Sequence, residues 1–239
     1  MFSLIADNFK NIKQRIRLAA ERADRNPSDI RLVAVSKEHS ATVVSEGIRA
    51  GSDIFGENKV QDAKDKIKAL GHDGIEWHFI GHLQKNKIKF IFDLFDLVHS
   101  VDSLVLAEAI NEKAEDLGFC MPILLQVNVS GESSKFGVDP KNVTEVIRKI
   151  MSFKGLNVRG LMTIPPYDPN PEKSRPYYAC LRELRDTCLE LAVPRLSLDE
   201  LSMGMSNDYE VAVEEGSTLV RVGTALFGER PSKSKRSTG

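Results

Sequence analysis

A lysine follows a run of apolar, strand-forming residues near the start of the chain. Residues 32–36 read LVAVS, and Lys37 comes next, where a buried strand would give way to a loop. Burial and neighbouring positive charge lower the pKa of a lysine amine and make it a nucleophile towards aldehydes. The ordinary alternative is a strand-end lysine that extends its amine into water. Lys37 is therefore a candidate for Schiff-base chemistry, and its surroundings decide between the two interpretations.

Two glycine-containing segments further along have the chemistry of an anion site. They read GMSN at 204–207 and RVGTALFG at 221–228. Glycines let backbone N–H groups approach an anion, and Ser206 and Thr224 add hydroxyl groups. Ser206 also lies at the predicted start of a helix, where free N–H groups and the helix dipole attract negative charge. The alternatives are a helix N-cap at Ser206, which is compatible with anion binding, and packing glycines in the second segment.

The elements that must position these groups alternate between short apolar runs and longer segments of helical period. The predicted strands cover 32–36, 53–57, 77–81, 97–101, 122–129, 158–162, 198–204 and 218–223. The predicted helices cover 41–50, 58–70, 84–93, 103–117, 140–151, 173–192 and 206–213, after an amphipathic N-terminal helix with Phe2, Ile5, Phe9, Ile12 and Ile16 on one stripe. Strands that alternate with helices in this way run parallel and are joined by right-handed crossovers.

Eight such strands predict an α/β fold, a single (β/α)8 barrel of the TIM type with an extra N-terminal helix. An open doubly wound sheet is the alternative, although the first strand is not followed by GxGxxG. We assign residues 1–230 to the barrel domain and 231–239 to a basic tail that we expect to be disordered. The strand ends of a barrel meet at one rim, so Lys37 and the two glycine-containing loops should lie close together.

Arg221, near the end of the eighth predicted strand, should point into the same barrel mouth and could face a ring nitrogen of a ligand. A partner among the acidic residues of EVAVEE at 210–215 is an equally open role for it. His78 and His82 are spaced four apart, but the stretch HFIGH reads as a strand end and lacks the glutamate of HExxH. We expect both to be buried, hydrogen-bonded histidines and predict no metal site.

Composition excludes several classes of protein. The 33 basic and 34 acidic residues nearly cancel, which argues against binding to nucleic acid or to an anionic membrane. No apolar run approaches the roughly 20 residues that span a bilayer, and the N-terminal segment does not resemble a signal peptide. Cys120, Cys180 and Cys188 show no CxxC spacing, so neither a disulfide framework nor a zinc site is expected. These features predict a cytoplasmic protein.

Eight segments, in order along nearly the whole chain, resemble one family. They are VAVSK (33–37), FGENKVQ (55–61), WHFIGHLQKNK (77–87), HSVDS (99–103), LLQVNVSGESSKFG (124–137), GLMTIPP (160–166), LSMGMSND (201–208) and VRVGTALFGER (220–230). Together they resemble the pyridoxal phosphate homeostasis proteins, which are related to the N-terminal domain of alanine racemase. Lys59 and His39 depart from the family pattern, where an aromatic residue and a second lysine are common.

The resemblance implies a (β/α)8 barrel that holds pyridoxal 5′-phosphate (PLP) as an aldimine on Lys37. It further implies that Ser206, Gly223 and Thr224 hold the phosphate, that Arg221 meets the pyridine nitrogen, and that Asn58 lies near the ring. Lys135, in the turn-rich segment SGESSKFG, is more simply a loop lysine, although a part in receiving or releasing the cofactor stays open. The same segment is expected to be mobile over the barrel mouth.

The function that the resemblance implies is storage and delivery of PLP, with little or no catalysis and no catalytic residue assigned. The alternative is a PLP-dependent amino-acid racemase or related enzyme of weak activity. Racemisation needs proton transfer on both faces of the substrate, and we find only Lys37 for one face. Related racemases supply the second group from an added β-domain, and we expect none here because the chain ends soon after the eighth strand. A barrel aldolase would share the lysine and the anion loops. The expected partners are PLP and apo forms of PLP-dependent enzymes, and the expected state is a monomer.

Overall fold

A computed structural model describes residues 4–190 and 196–229 of the protein. It confirms the predicted barrel, because eight parallel strands close on themselves in sequence order and β1 pairs with β8. The strands are β1 (Arg31–Val35), β2 (Ile54–Glu57), β3 (Glu76–Phe79), β4 (Leu97–Val101), β5 (Met121–Gln126), β6 (Leu156–Met162), β7 (Glu200–Ser202) and β8 (Leu219–Val222). The predicted basic tail, 231–239, lies outside the described residues.

Helices surround the barrel. They are α1 (Leu4–Arg22), α2 (Ala41–Arg49), α3 (Val60–Leu70), α4 (Ile91–Leu94), α5 (Leu104–Leu117), α6 (Val143–Ile150), α7 (Arg175–Glu190), α8 (Tyr209–Glu214) and α9 (Thr224–Phe227). The segment predicted as one helix over 84–93 is instead a 3-10 helix, Lys85–Phe90, followed by α4. Ile88 of the 3-10 helix and Ile91 and Leu94 of α4 are the buried residues of this segment.

The N-terminal helix α1 supports the side of the barrel that carries the C-terminal loops. Its predicted apolar stripe is confirmed over the described residues, since Ile5, Ile12 and Ile16 are buried and Phe9 is partly buried, while Phe2 lies outside them. It packs against α2, α8 and α9, and Asn8 donates a hydrogen bond to the Leu226 carbonyl over 3.0 Å. In the part of the chain that the structure describes, no helix is long and apolar enough to cross a bilayer.

Alternate residues of the strands point into the barrel, and they are of two kinds. One group is apolar and forms a compact cluster of Val33, Ile54, Leu97, Leu124, Met162 and Leu219. The other group is polar. His99 and Arg221 come two residues after Leu97 and Leu219 of the apolar cluster, and Glu76, His78 and Ser202 lie on β3 and β7, which contribute no residue to that cluster. A barrel interior that contains charged and polar side chains needs a partner for each of them.

Candidate functional site

A cavity of about 530 Å³ opens at the rim where the strands end. Its volume falls within the roughly 300–1,000 Å³ that is usual for small-molecule sites. All six residues predicted to bind the cofactor line it, namely Lys37, Asn58, Ser206, Arg221, Gly223 and Thr224. Val35, Ile80, Ile164 and Met205 add apolar surface. The structure therefore brings the predicted lysine and the two glycine-containing loops into one site.

The turn after β1 presents Lys37 to this cavity. The backbone N–H of His39 donates to the carbonyl of Ser36 over 3.1 Å and closes the turn. Glu38 has a φ of +67°, a left-handed conformation that costs a residue other than glycine about 1–3 kcal/mol. Lys37 is partly buried, and His39 is buried against the ring of Phe227. The surrounding structure thus holds an unfavourable backbone conformation next to the candidate nucleophile.

A buried ion pair lies directly beneath that turn. The Lys66 Nζ of α3 donates to Glu57 Oε1 over 2.5 Å and to the Ser36 carbonyl over 2.7 Å. The Ser36 hydroxyl donates to the same carboxylate oxygen over 2.5 Å. Burial raises the pKa of Glu57 above its ordinary value, although the nearby Lys66 ammonium acts in the opposite direction. Together these bonds join α3, the end of β2 and the residue that precedes Lys37.

Sequence reasoning placed Glu57 at the end of a strand but missed Lys66. The signal was present, because Lys66 shares the apolar stripe of α3 with Ala63 and Ile67. A lysine on the buried face of a helix needs a buried acceptor. Its partner could not be chosen from the sequence, since several carboxylates lie at the ends of predicted strands and helices.

Asn58 meets Gly81 closely at the same rim. A Cβ on Gly81 would lie only 2.2 Å from the Asn58 carbonyl oxygen, so only glycine fits at this position. The side-chain Oδ1 of Asn58 is buried and has no hydrogen-bond partner among the described residues. Buried oxygens are nearly always hydrogen-bonded, so this one beside the cavity is suited to a polar group of a ligand.

Ser206 connects the loops that follow β7 and β8. Its Oγ accepts hydrogen bonds from the backbone N–H groups of Gly223 and Ala225, both over 3.3 Å. These two bonds use both lone pairs of the hydroxyl oxygen. The hydroxyl proton is then left as a donor, and no hydrogen bond among the described residues uses it. Ser206 therefore brings a donor, and the two N–H groups around it, to the wall of the cavity.

The prediction that Ser206 starts a helix is wrong. α8 begins at Tyr209, and Ser206 lies in the turn before it. Asp208 shapes this turn, because its Oδ1 accepts from the Met205 N–H over 2.8 Å and its backbone N–H returns to the Met205 carbonyl over 3.0 Å. Gly204, with a φ of +91°, turns the chain away from β7. The suitability of Ser206 for an anion thus comes from its hydroxyl and from the neighbouring segment after β8, and not from the start of α8.

Asp208 was missed as a residue of the site. It is buried, it lines the cavity, and its Oδ2 accepts a hydrogen bond from the Ser174 hydroxyl over 2.8 Å. An acidic residue just before a helix is ordinarily an exposed cap. Nothing in the local sequence distinguishes that role from the buried one that the structure has.

Arg221 points from β8 into the cavity and is buried. One Nη donates to the Thr163 carbonyl over 2.8 Å, and the other donates to the Ser202 hydroxyl. Burial lowers the pKa of Arg221 to about 10, while Tyr178 and Asp208 act in the opposite direction, so the guanidinium stays charged at neutral pH. The alternative partners in 210–215 are excluded, because those acids pair elsewhere: Glu210 with Arg15 and Arg22, Glu214 with Arg22 and Arg175, and Glu215 with Arg175 and Arg182.

The two histidines at 78 and 82 have different environments. His78 is buried and hydrogen-bonded as predicted, with Nδ1 3.0 Å from His99 Nε2 and Nε2 3.3 Å from Glu76 Oε2. The same prediction for His82 is wrong, since its side chain is 44% exposed. β3 ends at Phe79, so His82 lies in the loop, where it stacks on Phe136 at 3.9 Å and pairs with Asp102 at 3.2 Å. Among residues 4–190 and 196–229, no group of three or more potential ligands is arranged to hold a metal ion.

The loop that contains Lys135 packs beside the rim. Lys135 Nζ lies 3.9 Å from Glu132 Oε1, and Phe136 contacts His82. No residue of 130–137 lines the cavity. Lys135 is therefore placed as a loop lysine, and its part in receiving or releasing a cofactor stays a prediction.

The fold and the cavity define a barrel of the alanine racemase N-terminal type. The sequence profile described as "Alanine racemase, N-terminal domain" matches residues 8–231. Two relatives carry the name pyridoxal phosphate homeostasis protein. The one from Aquifex aeolicus is 43% identical over 94% of this chain and 97% of its own length, and the one from Pseudomonas aeruginosa is 43% identical over 95% and 96%. With these identities over nearly the full length, the chain belongs to the family of pyridoxal phosphate homeostasis proteins.

A solved structure of the same kind contains the cofactor. PipY of Synechococcus elongatus, with PLP bound, matches with a TM-score of 0.77 and 38% identity. The match covers 91% of this chain and all of the PipY chain.

Proposed function

We propose that this protein binds PLP as a Schiff base on Lys37 and serves intracellular PLP homeostasis by storing the cofactor and delivering it to apo-enzymes. The observation that carries the proposal is that one cavity is lined by Lys37, Arg221, Ser206, Gly223 and Thr224 together. An aldehyde, a pyridine nitrogen and a phosphate each have a chemically matched group among these residues. The family name of the relatives and the PLP bound in PipY support the same ligand.

The residues present fit the parts of PLP. The Ser206 hydroxyl proton and the backbone N–H groups of Gly223 and Ala225 are donors for a phosphate, and Thr224 adds a hydroxyl. The bonds that Ser206 now accepts are 3.3 Å long, beyond the usual range, so these N–H groups can turn to a stronger acceptor at small cost. Asn58 Oδ1, buried and without a partner among the described residues, suits a polar group on the ring.

The chemistry assigned to Lys37 is reversible capture of an aldehyde. Its neutral amine adds to the aldehyde carbon, a C=N bond replaces the C=O bond, and the oxygen leaves as water. The reverse reaction returns free aldehyde, which is what a carrier requires.

Arg221 is in keeping with storage, although it does not by itself exclude catalysis. Its guanidinium can only donate hydrogen bonds, so the ring nitrogen that it faces accepts and stays unprotonated. A pyridine ring without that proton is a weak electron sink and supports carbanion chemistry poorly. The proposed partners are PLP and apo forms of PLP-dependent enzymes. The proposal includes a monomer and a cytoplasmic location, in keeping with the three free cysteines.

The first test is Lys37→Ala. We expect the variant to lose the visible absorption of a pyridoxal imine while keeping its fold, because no other amine is assigned the aldehyde. Borohydride reduction of the PLP-loaded wild type, followed by peptide mass mapping, should place the label on Lys37. Lys149→Ala, at an exposed position on α6, is the matched control and should label like the wild type. Label chiefly on Lys135 or another lysine would contradict the assignment.

The second test addresses delivery. The PLP-loaded protein is mixed with an apo-enzyme in the presence of a phosphatase that destroys free PLP, and activation of the apo-enzyme is followed. We expect activation to survive the phosphatase with the loaded wild type and to be abolished with free PLP. Activation abolished equally in both would contradict delivery by contact, and rapid turnover of amino acids by the loaded protein alone would favour the racemase alternative.

A further inference from the structure

A chain of hydrogen bonds passes through the barrel interior behind the cavity. It begins at Arg221, which donates to the Ser202 hydroxyl. Ser202 Oγ lies 2.8 Å from His99 Nδ1, and His99 Nε2 lies 3.0 Å from His78 Nδ1. His78 Nε2 lies 3.3 Å from Glu76 Oε2, at the start of β3 and so at the opposite end of the barrel. The first three contacts each join residues of two different strands, from β8 to β7, from β7 to β4 and from β4 to β3, and the last lies within β3.

The two ends of the chain determine its direction. A guanidinium has donors only, and an ionised carboxylate has acceptors only. Ser202 Oγ accepts from Arg221, and its only other hydrogen-bond partner among the described side chains is His99 Nδ1. The Ser202 proton must therefore point at His99 Nδ1, because the reverse direction would leave this buried proton without an acceptor.

The same logic sets both imidazole tautomers. With its Nδ1 accepting, His99 carries its proton on Nε2 and donates to His78 Nδ1. His78 then also carries its proton on Nε2 and donates to Glu76. Both rings are buried, so the usual exchange of tautomers through water is not available to them.

Glu76, the last residue of the hydrogen-bond chain, forms an ion pair with Arg31. Arg31 lies 3.3 Å from Glu76 Oε2 and 2.6 Å from Glu200 Oε1. The chain thus ends on a carboxylate that is paired with a cation, which keeps it ionised and accepting. The hydrogen-bond chain therefore runs from the Arg221 guanidinium to the Glu76 carboxylate through three side chains, those of Ser202, His99 and His78.

We propose that His99 and His78 are positioning residues for Arg221: through Ser202 they hold its guanidinium in place as a donor towards the cavity. The role for a bound ring nitrogen rests on the proposed function, but the orientation of Arg221 does not. Neither histidine lines the cavity, so their effect on a ligand passes through Arg221. The barrel interior, which is ordinarily filled with apolar side chains, here acts as the support of one cavity residue.

Two amide variants of His99, each matching one ring nitrogen, separate the positioning of Arg221 from a role in packing alone. His99→Asn places an oxygen where Nδ1 was and keeps the acceptor for Ser202. His99→Gln places its amide nitrogen where Nε2 was and keeps the donor to His78, but it offers Ser202 no acceptor. A role in packing alone predicts similar effects for both.

The first measurement uses the protein without cofactor. Long-range 1H–15N correlation spectra report the tautomer of each imidazole, and 15N spectra report exchange of the Arg221 side-chain N–H groups. We expect both histidines as Nε2–H tautomers in the wild type, and slow exchange at Arg221 in the wild type and His99→Asn but not in His99→Gln. An Nδ1–H tautomer at His99, or equal exchange in the two variants, would overturn the proposal.

The second measurement uses PLP. We expect the dissociation constant to rise about tenfold in His99→Gln, the effect of one weakened hydrogen bond, and to change less than about threefold in His99→Asn. A larger loss in His99→Asn than in His99→Gln would also overturn the positioning role. If the wild type fails to bind PLP, the proposed function fails, and the tautomers and the exchange at Arg221 still decide the positioning role.

Discussion

Ser206 is the residue through which the loops after β7 and β8 meet, and its hydroxyl has two tasks. It accepts from two backbone N–H groups, which orders the loop after β8, and it retains one proton for a ligand. A hydrogen bond to a charged phosphate contributes about 1.5–3 kcal/mol, more than a bond between neutral groups.

We expect Ser206→Ala to weaken PLP binding by about 10- to 150-fold. Affinity for pyridoxal, which has no phosphate, should change far less. Titrations with both ligands measure the difference, and Ser45→Ala on α2 serves as the control. An equal loss for the two ligands would show that Ser206 acts on the shape of the site and not on the phosphate.

Individual residues were predictable where chemistry and position coincide. Lys37 and Arg221 are charged residues at the ends of apolar strands, and the barrel rule brings them to one rim. The burial of Asp208 was not predictable, because its partner Ser174 is distant in sequence. Lys66 was recognisable from the apolar stripe of α3, but its partner was not. His99 lies within the apolar run LVHSV and was accepted as part of a strand. A polar residue on the inner face of a barrel strand is itself a signal that a partner exists.

At the scale of elements, the buried ammonium of Lys66 links α3 to the barrel, beside the apolar packing of the helix. Lys66 reaches Glu57 and the Ser36 carbonyl together, so it links a helix to the ends of two strands. Breaking a buried pair from one side is strongly unfavourable, because it leaves the other charge unpaired in a medium of low polarity.

We expect Lys66→Met to lower the free energy of unfolding by about 3–5 kcal/mol at neutral pH. Urea unfolding measures it, and Lys68→Met, at an exposed position on the same helix, should change stability by less than about 0.5 kcal/mol. Burial already raises the pKa of Glu57, so the deficit should shrink as the pH falls and the carboxyl takes up a proton. A deficit that grows in acid would contradict the role of this pair.

The existence and order of the elements followed from the sequence, but several boundaries did not. All eight strands were found as short apolar runs. The seventh was predicted over 198–204 and is only Glu200–Ser202, since flanking apolar residues do not require pairing. The last predicted helix, 206–213, begins later because the Asp208 side chain shapes the turn before it. Boundaries of this kind depend on single hydrogen bonds that periodicity does not reveal.

For the whole molecule, the buried imidazole of His99 couples folding to pH. Burial, followed by the charges of His78, Arg221 and Arg31, lowers the pKa of His99 well below 6.5. Between these two pKa values the unfolded chain binds a proton that the folded protein does not. Stability from this group is therefore complete above pH 6.5 and is lost as the pH falls below it.

We expect the free energy of unfolding to fall below about pH 6.5 with a slope of up to about 1.4 kcal/mol per pH unit from His99. His99→Asn should be less steep by that amount, whereas His72→Asn, at an exposed position, should keep the wild-type slope. The raised pKa of Glu57 contributes in the opposite direction, but it is common to all three proteins and cancels in the comparison. Identical slopes in wild type and His99→Asn, measured by urea unfolding at several pH values, would contradict the expectation.

Closure of the barrel restricts how another protein can take hold of this one. β1 pairs with β8, so every strand has a neighbour on both sides and no row of unpaired backbone groups is offered to an added strand. Recognition by strand addition, a common route for binding an extended segment, is closed at the barrel. An enzyme that receives cofactor by the proposed delivery would therefore have to recognise side chains of the rim loops and outer helices, and substitutions there could change the recipient without altering the barrel.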